Sequence, residues 1–177
     1  MRNLTQMTLE ALMPENDLRL ISGIPNAPEG GRDSGTAISF DVYIGIEPQG
    51  SKKAFVVTPK GGGKPRAVIV DDNKPALRSF RQEVTRAALS QIRLRPWAGK
   101  HVPVRLRIEF VFPRPASCPK SRKYPAVLPD VDKCSRAVLD ALTSVLYQDD
   151  AQVVQLIAAK SYGPVEMVRI AAEIIEG

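Results

Sequence analysis

The chain has 177 residues, 44% of them apolar, which is enough for one sizeable hydrophobic core and too little for two independent ones. It carries a net charge of +6, no apolar run approaches the roughly 20 residues that span a bilayer, and the N-terminus lacks the unbroken apolar stretch of a signal peptide, so a cytosolic protein with no membrane partner is expected. Cys118 and Cys134 form no CxxC and His101 is the single histidine, which argues against zinc and reads both thiols as reduced and structural.

Residues 1–36 are rich in Pro, Gly, Asn and charge and read as a mobile extension, followed by one folded domain over 37–177. From Ala37 the text turns apolar and β-branched, predicting a strand over 37–47. Strands at 54–58 and 67–70 flank the glycine turn "PKGGGKPR". Leu77, Phe80, Val84, Ala87 and Ala88 then recur at helical spacing and predict an amphipathic helix over 76–94, with Asp72 or Asn73 as cap and Pro75 in the first turn. A strand over 102–113 alternates apolar residues with Arg105, Arg107 and Glu109 on a wet face. A proline-punctuated basic loop leads to a second helix over 132–145, and strands at 151–162 and 165–174 follow as a closing pair turned at Gly163 and Pro164. The order β-β-β-α-β-α-β-β, without alternating βαβ units, predicts an α+β domain: a mixed or antiparallel sheet covered by two helices.

Charge is segregated along the chain. Residues 48–129 hold eighteen basic and four acidic side chains, whereas 130–177 hold four basic and eight acidic. A solvated surface explains most charge runs, but segregation this strong is what a polyanion-binding face looks like. Lys52, Lys53, Lys60, Lys64 and Arg66 around the hairpin, with Arg114, Lys120, Arg122 and Lys123 in the loop before the second helix, are the candidate polyanion contacts, chosen for their density.

Against this basic background five aspartates fall within residues 130–150. Singly, Asp130 and Asp132 read as caps at a helix start, and Asp149 and Asp150 as a turn before a strand. Jointly, Asp130 in the extended lead-in and Asp132 at the helix start can converge, and a returning Asp149/Asp150 loop would add the third hard oxygen donor that a divalent cation requires. Such carboxylates facing a basic surface suggest Mg²⁺-dependent phosphodiester hydrolysis, in which the metal activates water and Lys and Arg hold the nucleic acid backbone. Arg136, four residues beyond Asp132, either braces that carboxylate or reaches the scissile phosphate; the competing reading is an ion pair with Asp140.

The stretch "PDVDKCSRAVLDALTSVLYQDDAQVV", residues 129–154, resembles the signature of the RusA family of Holliday junction resolvases. The shared pattern is a D-x-D at a helix start, a basic residue four positions on, an L-D-A-L helix core and a D-D-x-Q-V segment, and the combination is specific where a lone D-x-D is weak. The resemblance implies a homodimeric, Mg²⁺-dependent endodeoxyribonuclease, with Mn²⁺ as an alternative ion, that binds four-way DNA junctions and nicks two opposing strands symmetrically. It implies Asp130, Asp132 and Asp150 as metal-binding carboxylates, with Asp149 as a neighbour of unassigned role and Asp140 as a structural hydrogen-bonding residue. Arg136 stands where the family usually has a catalytic lysine, and Lys133, a further candidate DNA contact, where it usually has asparagine. Such a protein is expected in the cytoplasm, that of the host if phage-encoded. The alternatives are a junction-binding module whose Arg136 and Lys133 changes have impaired turnover, and a nuclease of other branched DNA such as flaps or forks.

Overall fold

The computed structural model of the chain describes residues 35–50, 53–57, 64, 66–70, 75–93 and 95–175. Apart from Gly35 and Thr36, the expected N-terminal extension lies outside these residues, as do Lys52, Lys60 and the expected caps Asp72 and Asn73. The elements are β1 (Ala37–Val42), β2 (Lys53–Val57), β3 (Arg66–Val70), α1 (Pro75–Gln91), β4 (Val104–Pro113), α2 (Val131–Leu142), a 3₁₀ turn (Asp150–Gln152), β5 (Val153–Gly163) and β6 (Met167–Ile174). This is the expected α+β order. β2 and β3 pair antiparallel as a two-stranded sheet of their own, and the other strands make a mixed sheet in the order β1-β6-β4-β5.

β5 and β6 are not the closing pair that their adjacency suggests. β4 lies between them, parallel to β5 and antiparallel to β6. The reason is α2: a helix following β4 returns the chain to the start of that strand, so the next strand must run the same way, and β4-α2-β5 is a βαβ unit inside a fold that is not doubly wound. Residues 164–166 then carry the chain across the end of β4, spanning the roughly 9.6 Å between strands two positions apart.

At that crossover Gly163 lies so close to Val111 that a β-carbon added there would collide with its side chain. Gly163→Ala is therefore expected to destabilise the fold by about 1–3 kcal/mol through overpacking, read as a fall in melting temperature of roughly 3–10 °C.

The core forms on one face of the sheet. Phe40 and Val42 of β1, Leu106, Ile108 and Phe110 of β4, and Val168, Ile170 and Ala172 of β6 meet Leu77, Phe80, Val84 and Ala88 of α1 and Cys134, Ala137, Val138, Ala141 and Leu142 of α2. Both helical stripes follow the three- and four-residue spacing of the sequence. The apolar spacing continues through Val145, but α2 ends at Leu142, where Thr143 is extended and Ser144 has φ 65°; Val145, Leu146 and Tyr147 are buried all the same, in a turn whose amides bond back to Leu142 and whose hydroxyl donates to Leu139 O at 3.1 Å.

The opposite sheet face carries Arg105, Arg107 and Arg169, but it is not the fully wet surface expected: Val111 and Met167 are buried at one end of it, and so is one of its acids. Glu109 is only 3% exposed, accepting from Ser161 Oγ at 2.7 Å and from Arg169 Nη1 at 3.2 Å. Its neighbour Asp41 has its carboxyl raised by burial, against the pull of Arg169 and with a further push from Glu109.

Candidate active site

α2 organises the site, and its two ends hold different parts of it. At the N-terminal end Asp130 occupies the N-cap position with extended backbone, φ −70° and ψ 137°, so its main-chain carbonyl accepts the first helical bond from Cys134 N at 3.1 Å. Its side chain makes no capping hydrogen bond. The carboxylate instead faces Lys133 Nζ at 3.2 Å, which is where the structure uses Lys133. Asp132, in the first turn, is exposed and has no hydrogen-bond or ion-pair partner among the described residues. Capping thus does not account for either carboxylate, although both complement the helix dipole.

Cys134 registers what surrounds this end. Burial pushes its thiol up to about 11; Asp130, Asp132 and Glu47 push the same way, and Lys160 opposes them. Glu47 belongs to the segment after β1, which docks on α2 through Gln49 N bonding Lys133 O at 3.1 Å. Lys160, from β5, donates to Val127 O at 2.6 Å and Pro129 O at 2.9 Å, fixing the lead-in to Asp130. Neither Glu47 nor Lys160 could be found from spacing, since both arrive from distant chain positions through tertiary packing.

The other end holds the Asp149/Asp150 turn. Asp149 caps the 3₁₀ turn, accepting from Ala151 N at 2.9 Å, and Gln152 closes the capping box by accepting from Gln148 N at 2.8 Å and Asp149 N at 3.3 Å. The Gln152 amide also donates to Gly99 O at 2.8 Å and Val102 O at 3.0 Å, which anchors the turn to the segment before β4. The D-x-x-Q spacing of a capping box was the available signal for Gln152. Asp150 is exposed, and its side chain makes no hydrogen bond or ion pair among the described residues. It lies toward Tyr147, whose buried hydroxyl is held far above its ordinary value, first by burial and then by Asp150 and Asp140.

The three expected metal-binding carboxylates therefore do not meet within one chain. The twelve residues of α2 put its ends about 18 Å apart. β5 provides a second ruler: Lys160, held against Pro129, lies seven residues beyond Val153, about 23 Å along the strand. Among the described residues no group of three or more His, Cys, Asp or Glu side chains is placed to share a metal ion. Asp130 and Asp132 stand together; Asp150 is at the far end.

Arg136 is exposed and its side chain has no partner among the described residues, and the competing ion pair with Asp140 is not formed, because Arg81 of α1 takes that carboxylate at 2.5 Å while donating to Gln49 Oε1 at 3.0 Å. Asp140 thus ties α1 to α2, a structural hydrogen-bonding role. Of the candidate DNA contacts, Arg114, Lys120, Arg122 and Lys123 are exposed on the loop that leads to Asp130; Lys64 and Arg66 are exposed at the hairpin, and Lys53 opens β2. Cys118 and Cys134 are both free thiols. No helix among the described residues is long and apolar enough to cross a membrane.

Comparison with known proteins gives this arrangement its context. The chain is 30% identical over 126 residues to the uncharacterized protein YqaN of Bacillus subtilis (strain 168), an alignment covering 63% of this chain and 87% of the relative. The model of the endodeoxyribonuclease RusA family matches residues 46–174, a span from the segment carrying Glu47 to the end of β6 that takes in both ends of α2. The chain belongs to the RusA endodeoxyribonuclease family, Holliday junction resolvases that hydrolyse phosphodiester bonds in branched DNA and generally use divalent metal ions.

Proposed function

We propose that this protein is a homodimeric, Mg²⁺-dependent resolvase that nicks two opposing strands of a four-way junction symmetrically, at two sites each shared between copies. The observation that carries the reading is the pair of carboxylates at the start of α2: Asp130 sits in a cap position without capping, and the Asp132 carboxylate has no partner among the described residues. Two oxygen-donor side chains kept at one helix end suit Mg²⁺, which takes one or two carboxylates beside substrate phosphate oxygens and waters, and a further carboxylate would complete the set that the family resemblance implies. Asp150 is the third donor, and with α2 between its ends it can join only from a second copy. β5 supports that second copy, because it is an edge strand on which Val154, Leu156 and Ile157 are exposed, an arrangement that natural monomers avoid.

Asp130, Asp132 and the partner's Asp150 would hold Mg²⁺, or Mn²⁺ in its place, and the ion would supply an activated water and offset charge growing on the phosphate. The protein's own residues do the rest. Arg136 faces outward from the same helix end as Asp132 and binds a phosphate oxygen; its high pKa lets it stabilise charge without donating a proton, so the leaving oxygen takes its proton from solvent. Arg114, Lys120, Arg122 and Lys123 hold the backbone of the arm entering the site.

The test is cleavage of an end-labelled four-way junction beside a linear duplex of the same sequence, with Mg²⁺ at one salt concentration. Paired symmetric nicks in the junction alone are expected. Tight junction binding without a nick in Mg²⁺ or Mn²⁺ would make the protein a junction-binding module, and preferential cutting of flaps or forks would reassign its substrate.

A further inference from the structure

The loop leading to Asp130 is basic, yet it ends in an apolar tip. Leu128 is 79% exposed, the largest value for any large apolar side chain among the described residues, with Val127 and Tyr124 half exposed beside it. Such a residue is commonly a mobile loop tip, but this one is fixed. The two carbonyls that Lys160 binds, those of Val127 at 2.6 Å and Pro129 at 2.9 Å, belong to the residues on either side of Leu128. Upstream, Ala126 N bonds Tyr124 O at 2.9 Å, and Pro125 is buried. An exposed leucine is thus held on a clamped backbone two residues before Asp130.

We propose that Leu128 is a wedge that enters the base stack at the branch point of the DNA. The inference rests on the junction-cleaving function proposed above and deepens it by naming what selects a branched substrate. Apolar side chains inserted between base steps must offset the loss of stacking. That loss is smallest where the stack is already interrupted, as it is where four arms meet, and largest inside a continuous duplex. A wedge therefore favours branched over linear DNA without reading any base, while phosphate contacts made by the same loop act on both.

Charge favours DNA over a second copy as the occupant of the tip. Arg114, Lys120, Arg122 and Lys123 are exposed on this loop, and no acid intervenes before Asp130. A two-fold contact through the tip would bring two such loops face to face, like charge against like. A polyanion meets the same surface with opposite charge.

The experiment uses the full chain without divalent metal and a four-way junction carrying 2-aminopurine beside the branch point, with a linear duplex for comparison. The native chain is expected to raise the 2-aminopurine fluorescence several-fold as the base unstacks. Leu128→Ala is expected to lose most of that rise and to bind the junction about tenfold more weakly, while duplex affinity stays within about twofold; Leu128→Met, which keeps an apolar wedge, retains the rise. An undiminished rise in Leu128→Ala overturns the proposal, and so does sedimentation of that variant as a smaller species than the native protein, because Leu128 is then a contact between copies. The signal reports binding and not cleavage. A junction opened but never nicked removes the resolvase function and leaves the wedge, nicking with no Leu128-dependent signal removes the wedge alone, and equal affinity for junction and duplex removes both.

Discussion

Asp132→Asn is expected to lower the rate of junction cleavage by about a thousandfold or more, equivalent to several kcal/mol of transition-state stabilisation, and to leave the fold almost untouched. The two halves of this expectation have separate origins. Asparagine keeps the size of the side chain but replaces a charged oxygen by an amide, so it removes a hard anionic donor from the site. Asp132 is exposed, and among the described residues it holds nothing else in place. Its remaining contribution to folding is that of a negative charge in the first turn of a helix, about 0.3–1 kcal/mol, which corresponds to a few degrees in melting temperature for a domain of this size. Initial cleavage rates in Mg²⁺ and a thermal melt of the same preparations check both. If the carboxylate served only the helix, the melt would shift slightly and the rate would not.

Mixing two inactive variants is expected to restore activity. Asp132→Asn and Asp150→Asn chains, unfolded together and refolded in equal amounts, give a statistical half of heterodimers. If Asp130 and Asp132 of one copy work with Asp150 of the other, each heterodimer has one site that collects both lesions and one that is intact, so about a quarter of all sites recover. If all three aspartates of a site came from the same chain, each chain would carry its own lesion and the mixture would stay inactive. The product also differs: a single intact site cuts one strand, so the heterodimer should release nicked junctions and few resolved duplexes. Gel analysis of the labelled strands separates these outcomes, and the roughly 18 Å length of α2 between the two ends is what makes the first one expected.

Much of the fold was legible because its determinants are local. The stripe Leu77, Phe80, Val84 and Ala88 is written at helical spacing and is buried as written. Pro75 opens α1, and the alternation of β4 placed Leu106, Ile108 and Phe110 inside. What escaped was the choice of strand partners. β5 and β6 are consecutive, apolar and joined by a turn, and nothing in either segment says that a third strand comes between them; that follows from the direction in which α2 returns the chain. Helix length was overread for a similar reason, since the spacing that continues to Val145 records burial, and a turn buries residues as well as a helix does.

The candidate site divided along the same line. The residue types and their grouping at residues 130–136 could be read directly, and the capping role of Asp149 is set within four residues. The separation of Asp150 from Asp130 and Asp132 depends on α2 being a straight rod between them. The clamp made by Lys160 on Pro129, 31 residues away, and the approach of Glu47 to Cys134, more than eighty residues away, depend on packing between separate segments, where sequence spacing carries no information.

The position of β6 has a consequence for how the protein comes into being. Among the described strands β1, the earliest in the chain, is hydrogen-bonded to the rest of its sheet only through β6, the latest of them. A chain emerging from the ribosome therefore carries β1 without its partner until β6 follows, and the loop that must close between them is nearly the whole domain, a slow and non-local event. The sheet on which both ends of α2 rest is completed only when β6 is in place, so an incomplete chain does not present a finished DNA-cutting surface while it is still being made.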